Sequence, residues 1–371
     1  MLKFTDKRGN TIYAYQHPAR LNIYIDFGSH SGCTVFLARG AWCAGSSQVR
    51  IWGDNACLFV GDSVLGDVNF VLSQGACCYI GNRVSMVANA RGQRIRVKGD
   101  KVVLIGDDCL LSEDIDIVTT DGHRIYDKDT CKWVSGNRSV FIGDHVWLGR
   151  SSSCLKGSCI SSGSMLGFGS VLGGRWIPSH AVAAGSPGRV LAEDRIWSGE
   201  GTLFSGEISA TQQEMEEGTF EHDAATVIRP CNLEHTLKEI GSSHEKIKFL
   251  YDVLYLRAEH NRFAWNAEDV TAAADVVIPY GNSFERLLEE TRLKEERWLS
   301  FPTFTRDEIR GIKLYALWKH RHWIWWQYQR CSLMRRVTWG EKKRKYKEKK
   351  LHYRELLRRI KGCKNMMQNY L

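Results

Sequence analysis

From Ile142 onward the sequence repeats every six residues, and a fixed period of six leaves a chain few folds to adopt. An apolar or small residue opens each hexad, at Ile142, Leu148, Cys154, Ile160, Leu166 and Leu172. Gly follows the opener at Gly143, Gly149, Gly167 and Gly173, and a small or branched residue comes four places on at Val146, Ser152, Ser158, Ser164 and Ser170. Less regular hexads start earlier, at Ile51, Val60, Ile80 and Ile105. Such a hexad reads as one flat parallel strand with a corner, and three of them as one coil of a triangular prism. The opener faces inward and stacks on the opener of the next coil. Gly and polar residues take the corners, where positive φ costs Gly least. A single coil cannot bury its own apolar face, so coils stack into a solenoid. A sandwich of short strands would alternate with period two at varied spacing.

Composition changes near residue 200. Gly, Ser, Val and Ile give way to Glu, Lys, Leu and aromatics. Thr211-Gln-Gln-Glu214 and Thr305-Arg-Asp-Glu308 are capping-box patterns. Ser243 to Arg257 (with Ile247, Leu250, Tyr251 and Leu254) and Ser283 to Leu293 (with Leu287, Leu288 and Leu293) carry helical apolar spacing. The expectation is a mainly β fold: a parallel β-helix over residues 1–208, a mainly α-helical domain over 209–330 and a basic helical tail over 331–371.

The net charge of +9 belongs to that tail. Residues 331–371 hold 14 Lys/Arg against three Asp/Glu, leaving residues 1–330 slightly acidic. The chain has 12 cysteines but no CxxC and no Cys/His set at zinc-ligand spacing. They read as reduced, buried apolar residues rather than metal ligands or disulfides. The first fifteen residues carry charges throughout and no apolar signal core. No segment is apolar enough to span a membrane. The expectation is a cytoplasmic protein, with a stretch that suits the inner face of a membrane.

The repeat breaks between Ile117 and Phe141, in a polar segment rich in Gly, Asp and Asn. A loop thrown out from a rigid scaffold is a favoured place for function. His123 lies in it, beside Gly122 and Asp121, and a neutral imidazole near pH 7 suits a general base. Asp121, Asp127 or a backbone carbonyl is the expected orienting partner. His145 and His180 are rivals, His145 sitting within a hexad where a packing role suffices. Trp147 puts an indole on the outer face of a coil, where it needs cover from a neighbouring subunit or a ligand. Arg150, Lys156, Arg175 and Arg189 stud the later coils and suit phosphate groups.

The run Ile142-Gly-Asp-His-Val-Trp-Leu-Gly149, the hexads after it and Ala183-Ala-Gly-Ser-Pro-Gly-Arg-Val190 resemble the hexapeptide-repeat acetyltransferase superfamily. Its galactoside, maltose and xenobiotic acetyltransferases place a catalytic histidine 24 residues before the tryptophan of the I-G-x-x-V-W-I-G word, and 24 residues separate His123 from Trp147. The nearer likeness is to bacterial capsular polysaccharide O-acetyltransferases of the polysialic acid type. It rests on T-D-G-H-R-I-Y, the I-G-D-H-V-W-L-G-R word, L-K-G, A-G-S-P and Arg195-Ile-Trp197, over roughly residues 105–200.

The resemblance implies a left-handed β-helix, a homotrimer with its active sites between subunits, and acetyl-CoA as co-substrate with no metal. His123 would be the base and Trp147 would contact the acetyl-pantetheine arm. Arg150 and Phe168 would contact coenzyme A, Gly174 and Arg175 would lie near its tail, and Arg189 would lie beside the nucleotide. The leading reading is an O-acetyltransferase acting directly, in a ternary complex, on a capsular or cell-surface polysaccharide. Two others keep the fold: a small-sugar or xenobiotic acetyltransferase, and a non-catalytic trimeric scaffold binding an anionic polymer. The aromatic and basic stretch from Leu314, within residues 310–371, suits a core helix, a membrane surface, a glycan or contact with capsule machinery. Nucleic acid ranks lowest, since no nucleic-acid fold signature accompanies the basic run.

Overall fold

The computed structural model describes residues 1–88, 92–199, 222, 227–257, 261–297 and 354. Residues 1–300 form one compact unit and residues 301–371 a second. The expected boundary at 208, both capping boxes named above and the basic tail, except residue 354, lie outside the described residues.

The first two hundred residues build a left-handed parallel β-helix with three sheets. Among the described residues, sheet A runs through strands 11–14, 34–37, 57–60, 77–80, 102–105, 140–142, 159–160 and 176–177. Sheet B runs from 23–26 to 171–172 and sheet C from 42–43 to 182–185. The six hexad openers Ile142, Leu148, Cys154, Ile160, Leu166 and Leu172 fall in turn on sheets A, C, B, A, C and B, and all are buried. The N-terminal coils are broader. Their sheet A strands hold four residues and two sheet B strands hold six, against two in the last coils, which is why the earlier hexads look irregular.

The corner after sheet A is held by a side-chain ladder that the repeated I-G-D word encodes. The Gly40 amide donates to Asp62 Oδ1, Asp62 N to Asn82 Oδ1 (3.0 Å), Asn82 N to Asp107 Oδ1 (2.8 Å), Asp107 N to Asp144 Oδ1 (2.6 Å) and Asp144 N to Ser162 Oγ (2.9 Å). Each coil thus satisfies a corner N–H of the one before, which would otherwise be costly to bury. The preceding Gly has no room for a side chain: a Cβ on Gly106 would lie 2.4 Å from Asp144 Oδ1.

Sheet A is buried on both faces. Its inward residues fill the prism, while its outward column of Tyr13, Phe36, Phe59, Tyr79, Leu104, Phe141, Cys159 and Trp176 is in register from coil to coil. Phe36 and Phe59 stack at 4.6 Å between centroids, within the favourable range for aromatic pairs. Strands such as Cys57-Leu-Phe-Val60 and Val102-Val-Leu-Ile105 therefore read as unbroken apolar runs, the mark of a sheet covered on both sides.

The cover is the helical region: Pro230–Glu239, Ser243–Leu250 running into a π turn at Tyr251–Tyr255, Ala267–Thr271 and Ser283–Glu290. Leu233, Leu237, Ile247, Leu250, Leu254, Phe263, Trp265 and Phe284 join the sheet A column in one apolar cluster. Ser242 Oγ caps its helix by accepting from Glu245 N (3.2 Å), and Asn266 and Asp269 form a capping box. Residues 294–297, whose charges suit a helix, instead form a strand parallel to Leu2–Thr5. That N-terminal strand pairs antiparallel with Thr11–Ala14 on its other side, and Lys3 Nζ pairs with Glu295 Oε1 at 2.9 Å.

One ion cluster locks cover to solenoid. Arg262, 1% exposed, donates from Nε and Nη2 to Asp144 (3.0 and 2.8 Å) and pairs with Asp107 Oδ1 at 2.8 Å. Its Nη1 also donates to the carbonyls of Leu254 and Arg257. Two carboxylates share one guanidinium, and burial raises Asp107 to about 6. Of the described cysteines, all except Cys131 and Cys231 are buried, and burial pushes Cys33 up to about 11 and Cys154 to about 12.

Candidate active site

The break in the repeat is an extruded β-hairpin. The chain leaves sheet B after Val118 and returns to sheet A at Val140, so the hairpin stands at the corner between those sheets. Tyr126 and Trp133 pair antiparallel, Val134 N donates to Ile125 O (2.9 Å) and Asp127 N to Lys132 O (2.9 Å). The root is tied on both flanks. Lys156 Nζ, from the following coil, donates to Asp121 Oδ2 (2.5 Å) and Gly136 O (3.1 Å). Asn137 Nδ2 donates to Lys98 O (3.4 Å) on the preceding coil.

His123 is exposed on this hairpin, and among the described residues its ring has no hydrogen-bond partner. Neither expected carboxylate serves it. Asp121 is taken by Lys156, and Asp127 closes the hairpin turn by accepting from Asp129 N, Thr130 N and Thr130 Oγ1. The backbone beside it is held by Ser135, a residue without an obvious motif. Ser135 Oγ accepts from Ile125 N (2.7 Å) and Trp133 Nε1 (2.8 Å) and donates to His123 O (3.4 Å). Ile125, Tyr126, Trp133 and Val134 are all at least half exposed, a concentration of apolar surface on one small hairpin.

The rival histidines are engaged in packing. His145 is buried, stacks on Trp197 at 4.2 Å between centroids and exchanges hydrogen bonds with that residue's backbone and indole (3.0 and 2.9 Å). Burial lowers its pKa, favouring the neutral ring. His180 Nε2 accepts from His222 N (3.0 Å).

Trp147 lies on the outer face of sheet C, 39% exposed, and donates from Nε1 to Ser112 Oγ (3.2 Å). His123 and Trp147 therefore occupy different sides of the prism within one chain. Trp197 flanks Trp147 at 6.0 Å.

The remaining site candidates collect on the later coils. Arg150 places its guanidinium 4.9 Å from the ring of Phe168, which is 65% exposed, on the stacked turns of successive coils. Arg175 and Arg189 line one cleft of about 480 Å³ together with Trp176, Ile177, Gly188 and Val190. Among the described residues none of these three arginines is paired with a carboxylate. Gly174 adopts positive φ and spends its amide on Lys156 O (3.1 Å). It turns the chain into Arg175 but has no N–H left for a ligand. The structure thus brings together an arginine pair at one cleft and a cation–aromatic pair on a turn of the later coils, a set suited to phosphates and an apolar arm.

No family model matches the chain. Among curated proteins it is 32% identical over 136 residues to a polysialic acid O-acetyltransferase of Escherichia coli O1:K1, covering 36% of this chain and 42% of that one. It is 34% identical over 112 residues to the polysialic acid O-acetyltransferase of Neisseria meningitidis, covering 30% and 51%. It is 28% identical over 134 residues to galactoside O-acetyltransferase of Escherichia coli K12, covering 36% and 63%. The chain spans about half the length of the curated relatives it matches. Among solved structures, polysialic acid O-acetyltransferase OatWY matches with a TM-score of 0.43 at 24% identity, over 52% of this chain and 95% of that one. The chain is thus similar to hexapeptide-repeat acetyltransferases, and the polysialic acid enzymes are among its relatives.

Proposed function

We propose that this chain transfers an acetyl group from acetyl-CoA to a hydroxyl of a capsular or cell-surface polysaccharide, on the cytoplasmic side of the cell. The carrying observation is the order of features along the prism. A hairpin with an exposed histidine stands at one corner, and the coils that follow bear arginines that have no carboxylate partner among the described residues, beside exposed aromatics and a cleft. The names of the curated relatives support a polymeric sugar as acceptor.

Acetyl-CoA supplies an acyl group activated as a thioester. Arg175 and Arg189 suit its phosphates, while Arg150, Phe168 and Trp147 suit its arm. His123 takes the proton of the sugar hydroxyl as its oxygen attacks the thioester carbonyl; the C–S bond then breaks and the proton passes to the departing coenzyme A thiolate. The hairpin, held by Ser135 and Lys156, fixes where that proton is received. Because His123 and Trp147 lie on different sides of one chain, the site is completed when the hairpin of one protomer meets sheet C of the next. A closed threefold ring provides that contact three times and covers the apolar hairpin.

The test is release of coenzyme A thiol by the full chain, with polymeric and monomeric sugar acceptors and His123→Ala as control. Polymer-dependent release that the variant lacks is expected. Unchanged turnover in the variant removes His123 from the mechanism, and absence of release with every acceptor overturns the transfer. Sedimentation gives the protomer number, and a monomeric active enzyme overturns the shared site.

A further inference from the structure

The donor features all lie on coils after the hairpin, while four broad coils precede it and have no part in the chemistry above. Their outer sheet B face has a distinct layout. Arg94 is spent on Asp114 and Asp116 (3.0 and 2.7 Å), and Arg96 on Asp116 (3.0 Å). Along the edge facing the hairpin stands Trp52, 55% exposed, with Lys98 Nζ 4.5 Å from its ring centroid. Among the described residues neither Lys98 nor Arg50, two residues before Trp52, has a carboxylate partner. Arg50 Nη2 donates to Gln48 Oε1 (2.7 Å). Beyond Trp52, Gly28 leaves the face open, and exposed Arg8 reaches its carbonyl through Nη1 (2.6 Å). Of the acids around this edge, Asp26 lies opposite Arg50 on the adjoining strand and accepts from Gly28 N (2.8 Å), and Asp54 is held by Ser31 N (2.8 Å) and His30 (3.5 Å).

This edge leads to the candidate base. Lys98 N donates to Thr119 Oγ1 (2.8 Å) and Lys98 O accepts from Asn137, so Lys98 sits against the root of the hairpin that carries His123. The strands at 47–52, 68–73, 93–97 and 116–118 follow one another in register. At roughly 4.8 Å per strand, Trp52 lies about 14 Å from that root, farther than one sugar ring reaches.

We propose that Trp52 and Lys98, with Arg8 beside them, form a subsite for an acidic sugar residue of the acceptor polymer, a few residues from the one acetylated. The inference rests on the polysaccharide reading above. The exposed indole offers a flat apolar surface to the C–H face of a pyranose, and the ammonium, held over the ring, meets its carboxylate. One exposed ion pair contributes little alone. Its effect comes through linkage, since a polymer held at the hairpin engages a second contact at high effective concentration. The subsite therefore makes the enzyme prefer long acidic acceptors over short ones.

The test uses the full chain with size-graded polysialic acid oligomers, measuring binding calorimetrically and kcat/KM for each length. In the wild type, affinity and kcat/KM rise with length. Trp52→Ala and Lys98→Gln each lower the long-to-short ratio of kcat/KM about tenfold, and Trp52→Phe, which keeps a flat ring, retains most of it. A ratio unchanged by both Trp52→Ala and Lys98→Gln overturns the subsite and leaves the transfer reading standing. Long-oligomer binding that Trp52→Ala abolishes, without any acetyl transfer by the wild type, removes the transfer reading and leaves the subsite. No binding of the long oligomer by the wild type overturns it. So does a change of oligomeric state in Trp52→Ala with glycan binding intact, which identifies a second copy of this chain as the occupant.

Discussion

Two of the described pieces of this chain stand outside the β-helix, and they are built on opposite terms. The helical cover on sheet A buries its aromatics, caps its helices with Ser242 and Asn266, and sinks Arg262 between two carboxylates. The hairpin at the sheet A–sheet B corner leaves Ile125, Tyr126, Trp133 and Val134 in solvent and gives its histidine ring no partner among the described residues. Both are anchored to the solenoid by a cation: Arg262 at full burial, Lys156 near the surface. The cover buries its apolar residues, whereas the hairpin leaves its own in solvent.

The contrast is broken most sharply by His123→Ala. On the proposed role of His123 as general base, turnover falls by about 10²- to 10⁴-fold, and a thermal melt of the variant overlays the wild type. The converse is Arg262→Ala, which strands Asp107 and Asp144 at full burial and destabilises the fold by about 3–5 kcal/mol in a denaturant titration. Equal stability of that variant would show the cover to be an accessory.

A pH titration sharpens the same side. Asp107 is raised to about 6 by burial, above the ordinary aspartate value. Between about pH 4 and pH 6 the folded chain keeps a proton that the unfolded chain has released, so this residue's contribution to stability falls as pH rises through the window and is flat above it. The difference between wild type and Asp107→Asn should therefore change by about 2 kcal/mol between pH 4 and pH 7, read from chemical denaturation at each pH. The smallest effect is on the hairpin. Ser135→Ala removes the acceptor of Ile125 N and Trp133 Nε1, at about 1 kcal/mol. A several-fold fall in kcat with an unchanged KM for the donor marks it as a positioning residue for His123.

The β-helix was legible because a period of six survives in the openers, each of which meets its own kind in the next coil. The hairpin was legible as the gap in that period. The cover was half legible: its helices show in apolar spacing, but their seat shows only in strands such as Cys57–Val60, where alternation disappears because both faces are buried. The word I-G-D was visible, yet its Asp reads as a polar corner until the stacking of coils turns it into a ladder. At the site, Arg175 and Arg189 could be named from the sequence, and their meeting across one cleft depends on the last turn of the solenoid. Ser135 could not be named, since a serine in a polar loop carries no spacing. Nor could the loss of Asp121 to Lys156, which joins residues far apart in the chain.

The sheet A column also bears on how the protein comes to be made. Tyr13, Phe36, Phe59, Tyr79, Leu104 and Phe141 emerge from the ribosome well before Leu233 to Phe284, which cover them. At typical elongation rates of about 5–20 residues per second, a nascent solenoid carries a naked aromatic stripe for several seconds before its cover is synthesised. During that interval the stripe is a ready surface for aggregation or chaperone capture. A gene truncated before residue 230 leaves it naked permanently, so shortened forms of this chain will be limited by solubility before any question of catalysis arises.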